Sequence, residues 1–336
     1  MNLPVALLTI VWMVRDTFRQ SLSTRLFWVL LGLSGICIAF CLSVSVTGDD
    51  KLPLSPGEIP QGLPADDERV KEMGKEGVLK EGVDILGSKL YLGFGVFEIT
   101  TRRDRLDAVR FLQIWMAGVA ADTAGIFLVL IWTAGFLPTF LDPNQITVLL
   151  AKPVPRWSLL VGKYLGVLAF VFVHATVFVV GTWLALGVKT GVYDSLYLLA
   201  IPLLVIHFGI FYSFSVLLAV WTRSTVVCVF GSLLFWVICW GMNFGRHAIE
   251  VHDLPGLSPV GRTMLEVSYW TLPKPGDMNL NLYYALKAKG FAPGVKEFEK
   301  LKDAGKFQPE LSLLASIAFA LVMLAIAARE LESTDY

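Results

Sequence analysis

The chain has 336 residues, 55% of them hydrophobic and 17% charged, with a formal net charge of zero. Soluble domains carry about 25% charged residues, so this composition, with a mean hydropathy of +0.64, excludes an ordinary soluble globular protein and reads as a membrane protein. The balanced charge gives no basic surface for nucleic acid.

Residues 1–25 are apolar in their first half and then set Arg15, Arg19 and Gln20 among Phe18 and Leu22. That pattern predicts an interfacial helix lying along the membrane. The uncharged run 26–48 exceeds the roughly 7–15 residues of a signal-peptide core, which argues against cleavage. A crossing helix needs about 20 apolar residues. Six segments meet or approach that length: 26–46, 112–138, 160–188, 196–221, 225–243 and 311–328. Helices are expected, because the alternating signature of a membrane barrel is missing and every backbone polar group must be paired inside lipid.

Six spans put both termini on one side. Arg15, Arg19 and Arg25 precede the first span, and Asp49 and Asp50 follow it. This favours a cytoplasmic N-terminus, although the two long loops hold more Lys and Arg in total; the charge rule weakens for loops beyond about 60 residues. On this assignment 139–159 and the tail 329–336 are cytoplasmic, and loops 47–110 and 244–310 lie outside.

Loop 47–110 opens with turn residues from Pro53 to Pro64. An amphipathic helix is predicted over 65–86, and a strand over 89–100, KLYLGFGVFEIT, with Leu90, Leu92, Phe94 and Val96 on one face. In loop 244–310, LPGLSPVGR and YWTLPKPGDM read as turns, and short helices are predicted over 278–289 and 294–304. The expected fold class is an all-α polytopic membrane protein with six transmembrane helices, an N-terminal interfacial helix and a small α+β extracytoplasmic cap built from the two loops.

The four cysteines, Cys37, Cys41, Cys228 and Cys239, lie in apolar runs and read as small buried residues rather than a disulfide or zinc framework. His247, Glu250, His252 and Asp253 cluster in HAIEVHD, but two histidines five apart suit one helical face poorly, so a solvated helix end is expected and no metal site. Asp122, in AGVAADTAG, is an acid inside a predicted span and a functional candidate for a translocation path. Its small neighbours Gly118, Ala121 and Gly125 suit close helix packing. His174 and His207 are expected to be packed and hydrogen-bonded. There is no HExxH, GxSxG or P-loop pattern, so no catalytic residue, cofactor site or ATP hydrolysis is expected of this chain.

The most informative segment is LLAKPVPRWSLLVGKYLG, residues 149–166. PNQITVLL, 143–150, fits a short helix with Pro143 in its first turn. Lys152-Pro153-Val154-Pro155-Arg156 forms a stiff turn, and Trp157 suits the membrane interface. Leu149, Leu150, Lys152, Pro153, Arg156, Leu160, Gly162, Lys163 and Gly166 resemble the pattern in permease subunits of type-2 ABC transporters. RDTFRQSLSTRLFWVLL is similar to that family's entry helix and first span, and the order of spans matches; the two long loops do not. The resemblance implies that 139–158 is a cytoplasmic coupling helix and turn that docks on a separate ATP-binding subunit. Asp142, Asn144, Gln145, Lys152 and Arg156 would be contacts, and Pro153 and Pro155 would set the turn. It further implies two permease copies beside two ATPases that hold the ATP and Mg, in the cytoplasmic membrane. A second reading is a structural or force-transmitting membrane protein whose loops bind a partner protein and which moves no substrate. A third is an intramembrane enzyme using Asp122 or a histidine.

Overall fold

The computed structural model describes residues 3–53, 84–101, 105–142, 154–252, 258–285 and 308–333. Helix α1 (Leu3–Ser23) meets α2 (Arg25–Leu42) at a bend of 70°. Thr24 causes the break: its backbone is extended, and its hydroxyl turns back to the Ser21 carbonyl at 2.6 Å. Strands β1 (Ser45–Pro53), β2 (Asp84–Leu92) and β3 (Phe97–Thr101) form an antiparallel sheet in that order. Next comes one helical rod of 36 residues. It comprises α3 (Arg105–Ile114), a π-helical segment (Trp115–Gly125), α4 (Ile126–Thr133) and α5 (Phe136–Phe140). Helix α6 (Arg156–Thr190) returns, a 3₁₀ turn (Ser195–Leu199) leads into α7 (Ala200–Thr222), and α8 (Thr225–His252) follows. The chain ends with α9 (Pro259–Thr271), α10 (Pro275–Ala285) and α11 (Pro309–Ser333).

Five stretches are long and apolar enough to cross a membrane: Arg105–Phe140, Arg156–Thr190, Ser195–Thr222, Thr225–Ile249 and Pro309–Ser333. The bent α1–α2 pair makes a sixth if it counts as one span. The chain is thus a helical, membrane-embedded protein with one small sheet among its described residues. α7 runs through the middle, with Phe208, Phe211 and Tyr212 fully buried against α4, α6, α8 and α11. Cys41, Cys228 and Cys239 are buried, Cys37 is half-buried, and all four are free thiols.

Several boundaries differ from those expected. The helix in the first expected span stops at Leu42, short of 46; its 18 residues rise only about 27 Å, and Ser45 already belongs to β1. The second begins at Arg105, not 112. Its extra turns carry two arginines, which are satisfied at the end that bears the sheet. Arg105 donates to the Thr190 carbonyl, and Arg110 pairs with Asp194 at 2.7 Å. Asp194 also accepts from the Leu196 amide and so caps the 3₁₀ turn. α6, with 35 residues, is about 52 Å long, well beyond the roughly 30 Å hydrocarbon core.

The strand predicted over 89–100 is a hairpin. Leu92 pairs with Phe97, and Gly93, Phe94 and Gly95 take positive φ values of 61°, 57° and 92°. Two glycines make this left-handed turn accessible, so Phe94 and Val96 point outward while Leu90 is buried. Of the helix predicted over 65–86, residues 84–86 lie in β2 and the rest falls outside the described residues. Residues 54–64 and the helix predicted over 294–304 also lie outside them.

LSPVGR is not a turn. Ser258 caps α9 by accepting the Gly261 amide at 3.1 Å, and Pro259 takes the first helical position, where its missing N–H costs nothing. The helix predicted over 278–289 is α10, already under way at Pro275. The described part of loop 47–110 is the sheet, and that of loop 244–310 comprises the end of α8, then α9 and α10. The sheet packs through Val46 and Leu90 on α3 and α6. α9 packs against α8 and α11, and α10 packs against α7, α8 and α11.

Candidate functional site

Two places in the fold gather the residues that the sequence singles out. The first is the end where α1, α5, the start of α6 and the end of α11 meet. Asp142 is exposed there, and Pro155 occupies the N-cap of α6 with φ −63° and ψ 129°. Arg156 Nη1 lies 3.3 Å from the Leu331 carbonyl and 3.4 Å from that of Glu332. A guanidinium on the last carbonyls of a helix satisfies unpaired acceptors and suits the negative end of the helix dipole. Arg156 therefore ties α6 to α11, a role the sequence did not reveal. Asn144, Gln145, Lys152 and Pro153 lie outside the described residues.

The glycines of the GKYLG segment are the seat of α1. A Cβ on Gly162 would stand 2.6 Å from Met13 Cβ, and one on Gly166 would stand 2.6 Å from Thr17 Cβ. Small residues four apart let two helix backbones approach closely. Between them Lys163, 2% exposed, donates to Gln20 Oε1 at 2.9 Å and sits 5.6 Å from the centre of the Phe140 ring. A polar cavity of about 460 Å³, lined by Trp12, Asp16, Arg19, Gln20 and Lys163, opens beside this junction.

The second place is Asp122. It lies on the π-helical segment, where Thr123 Oγ1 reaches the Gly118 carbonyl five residues back at 3.2 Å. Small side chains make the wider turn possible, and π turns are rare and favour functional positions. Asp122 Oδ1 stands 2.5 Å from His207 Nδ1 on α7, with both residues buried. Nδ1 donates when it carries the ring hydrogen, and a protonated carboxyl donates to it when it does not. His207 Nε2 has no hydrogen-bond partner among the described residues. The pair thus has one hydrogen bond and one open ring nitrogen. α10 closes over it: Asn279 Nδ2 approaches the Gly118 carbonyl at 3.4 Å. Burial, with the charge of Asp122, pushes the Tyr283 phenol up. Asp122 was visible as an intramembrane acid, but its partner lies 85 residues away and no local pattern points to it.

The side chains of Glu250, His252 and Asp253 lie outside the described residues. His247 Nε2 lies 3.0 Å from Asp277 Oδ1. The buried Asp277 also accepts from Asn243 at 2.9 Å, Tyr269 at 2.6 Å and Ser312 at 2.6 Å, and so joins α8, α9, α10 and α11. Beside it the Tyr269 ring packs between Arg246, 3.8 Å from its centre, and Lys274, 4.8 Å away. His174 is packed as expected, between Phe27 and Phe170, but neither of its nitrogens has a hydrogen-bond partner among the described residues. The chain matches no protein-family model and no curated protein.

Proposed function

We propose that this protein is the membrane permease subunit of an ATP-driven exporter of the type-2 ABC class. It would act as one of two permease copies beside two ATP-binding subunits, in the cytoplasmic membrane with both termini inside. The observation that supports this reading most is the bracing of α6. Its first turn is tied to α11 by Arg156, and its second and third turns are clamped to α1 at Gly162 and Gly166. A connection that leads into such a junction can pass a push from a partner into several helices at once; a loose linker cannot. The partner holds ATP and Mg, and this chain contributes differential contacts to two states of the bundle. α6 carries the displacement along its length to the sheet end, and Asp122–His207 lies among the helices that it moves.

The test is co-purification of the tagged full chain in mild detergent, followed by an ATPase assay. Lys152→Glu is the informative substitution, because Arg156 already has an intramolecular role. A stoichiometric ATP-binding subunit that is lost with Lys152→Glu is the expected result. A clean preparation with no ATPase, under conditions that preserve other membrane complexes, would sink the reading.

One observation favours the second reading, a membrane protein whose outer loops bind a partner. Phe94, Val96 and Phe97 at the hairpin tip are 81%, 75% and 66% exposed, a cluster of a kind that marks contact sites. Loss of a co-purifying extracytoplasmic protein on Phe94→Ser with Val96→Ser, with no ATPase in the complex, would favour it.

A further inference from the structure

The β2–β3 hairpin turns beside the end of α2, the more apolar half of the bent α1–α2 pair. Ser43 is the C-cap of α2. Its carbonyl accepts the Phe94 amide at 3.0 Å, and its hydroxyl oxygen accepts the Gly93 amide at 3.2 Å. β1 leaves α2 at once, and Ser45 pairs with Tyr91. The tip is therefore held level with the last turn of α2, whatever the tilt of the strands. That turn is apolar and open, with Phe40 41% and Leu42 38% exposed. Trp28, Val29, Leu33 and Ile36 continue the exposed strip back along one side of the helix.

The two faces of the hairpin differ. Leu90 and Leu92 share one face with their partners Ile99 and Phe97. Leu90 is buried in a cluster with Val109 and Leu112 of α3 and Leu186 of α6, so this face is turned toward the membrane-crossing helices. Phe97 and Ile99, on the outer strand, carry the same face past those helices and are 66% and 46% exposed. Strand residues alternate between faces, and the opposite face holds Lys89 and Glu98, paired at 2.8 Å. From Leu90 to Phe97 the chain has no charged residue. Contiguous exposed apolar residues mark protein or membrane contact sites. Continuity favours lipid here: the tip lies level with the open apolar turn of α2, and charge begins where the apolar residues stop. An apolar face beneath a charged one is the pattern of an element lying in the membrane interface.

We propose that the β2–β3 hairpin is a membrane anchor. Phe94, Val96 and the Phe97–Ile99 face insert among lipid headgroups beside α2, and Lys89 and Glu98 stay in water. Through Ser43 the anchor fixes where α2 ends relative to the bilayer. The occupant is the lipid surface rather than the protein partner of the second reading, and the proposal does not depend on ATP coupling.

The experiment places the photoreactive residue p-benzoylphenylalanine at position 94 of the full chain, and in a second protein at position 98. Each is irradiated in native membranes and, after purification, in nanodiscs of phosphatidylcholine and phosphatidylglycerol. Adducts are identified by mass spectrometry. The expected result is phospholipid adducts at 94 in both settings, in a yield on the order of fivefold above that at 98. Val96→Ser with Phe97→Ser should cut the yield at 94 several-fold. Both side chains are exposed, so the melting temperature should stay at the wild-type value and show that the fold is intact. Equal lipid yields at 94 and 98, no lipid adduct at 94, or a yield at 94 unmoved by the double substitution would each overturn the proposal. A protein adduct at 94 in native membranes would overturn it in favour of a docking partner.

Discussion

The Tyr269 hydroxyl, at the end of α9, donates to Asp277 Oδ2 on α10 at 2.6 Å. Seven residues of chain lie between them, and the carboxylate also accepts from Asn243 and Ser312. The docking of α9 and α10 thus converges on one fully buried carboxylate. Asp277→Ala leaves at least three buried polar groups without their acceptor, a loss of roughly 3–5 kcal/mol. The expected outcome is undocking of α10. A reporter cysteine at Asn279 should react with maleimide much faster in the Asp277→Ala background. Equal rates would show that apolar packing alone holds α10.

The same cluster has an acid limit. Burial pushes the Asp277 carboxyl up, but His247, Ser312 and Tyr269 outweigh it and hold the carboxyl below its usual range. For a depressed carboxylate, the stabilisation is present above the unfolded value near 3.9 and is lost as pH falls through the lower folded value. Its neighbour acts in the same direction at alkaline pH. Burial lowers the Lys274 ammonium to about 8 despite Asp277 nearby. Between about pH 8 and 10 the unfolded chain binds the proton and the folded chain does not, so stability rises with pH. Above pH 10 the raised phenol of Tyr269 reverses the trend. Melting temperature should therefore climb from pH 7.5 to 9.5 in wild type relative to Lys274→Met. Parallel curves for the two proteins would remove Lys274 as the cause.

What the sequence made legible was what repeats locally. Runs of apolar residues located the five stretches long enough to cross a membrane and the second half of the bent α1–α2 pair, because burial in lipid demands some 20 such residues together. Their ends were less visible: Arg105 and Arg110 look wrong for a membrane helix until Thr190 and Asp194 are brought beside them. The hairpin at Gly93 hid inside an apparent alternation, since two glycines broke the strand without breaking its pattern. Prolines misled in loop 244–310, where Pro259 and Pro275 begin helices rather than ending them. The π-helical turn around Asp122 and its pairing with His207 depend on contacts distant in sequence, which composition and periodicity do not encode.

Gly166 supports a prediction about the α1 junction. A side chain there collides with Thr17, whose Cβ stands 2.6 Å from the built position. Gly166→Leu should push α1 off α6, and overpacking costs typically 1–3 kcal/mol. Limited proteolysis near Ser23 should accelerate with Gly166→Leu relative to wild type. Unchanged cleavage would mean that the two helices tolerate a wider separation.

The last prediction separates structure from function at Asp122 and His207. Removing one member of a buried pair strands the other. Asp122→Ala alone, or His207→Ala alone, should therefore each lower stability by roughly 3 kcal/mol. Replacing both with apolar residues of similar volume, Asp122→Leu with His207→Phe, removes the stranded group and should restore the melting temperature to near wild type. If the pair served only to join the π-helical segment to α7, that double variant would behave like wild type in every assay. If the pair belongs to the path or to the coupling of the bundle, the double variant is as stable as wild type yet fails in ATPase stimulation or transport by the assembled complex. The second outcome is expected. A buried carboxylate–imidazole pair with an open nitrogen is a costly way to make a helix contact that two apolar side chains provide.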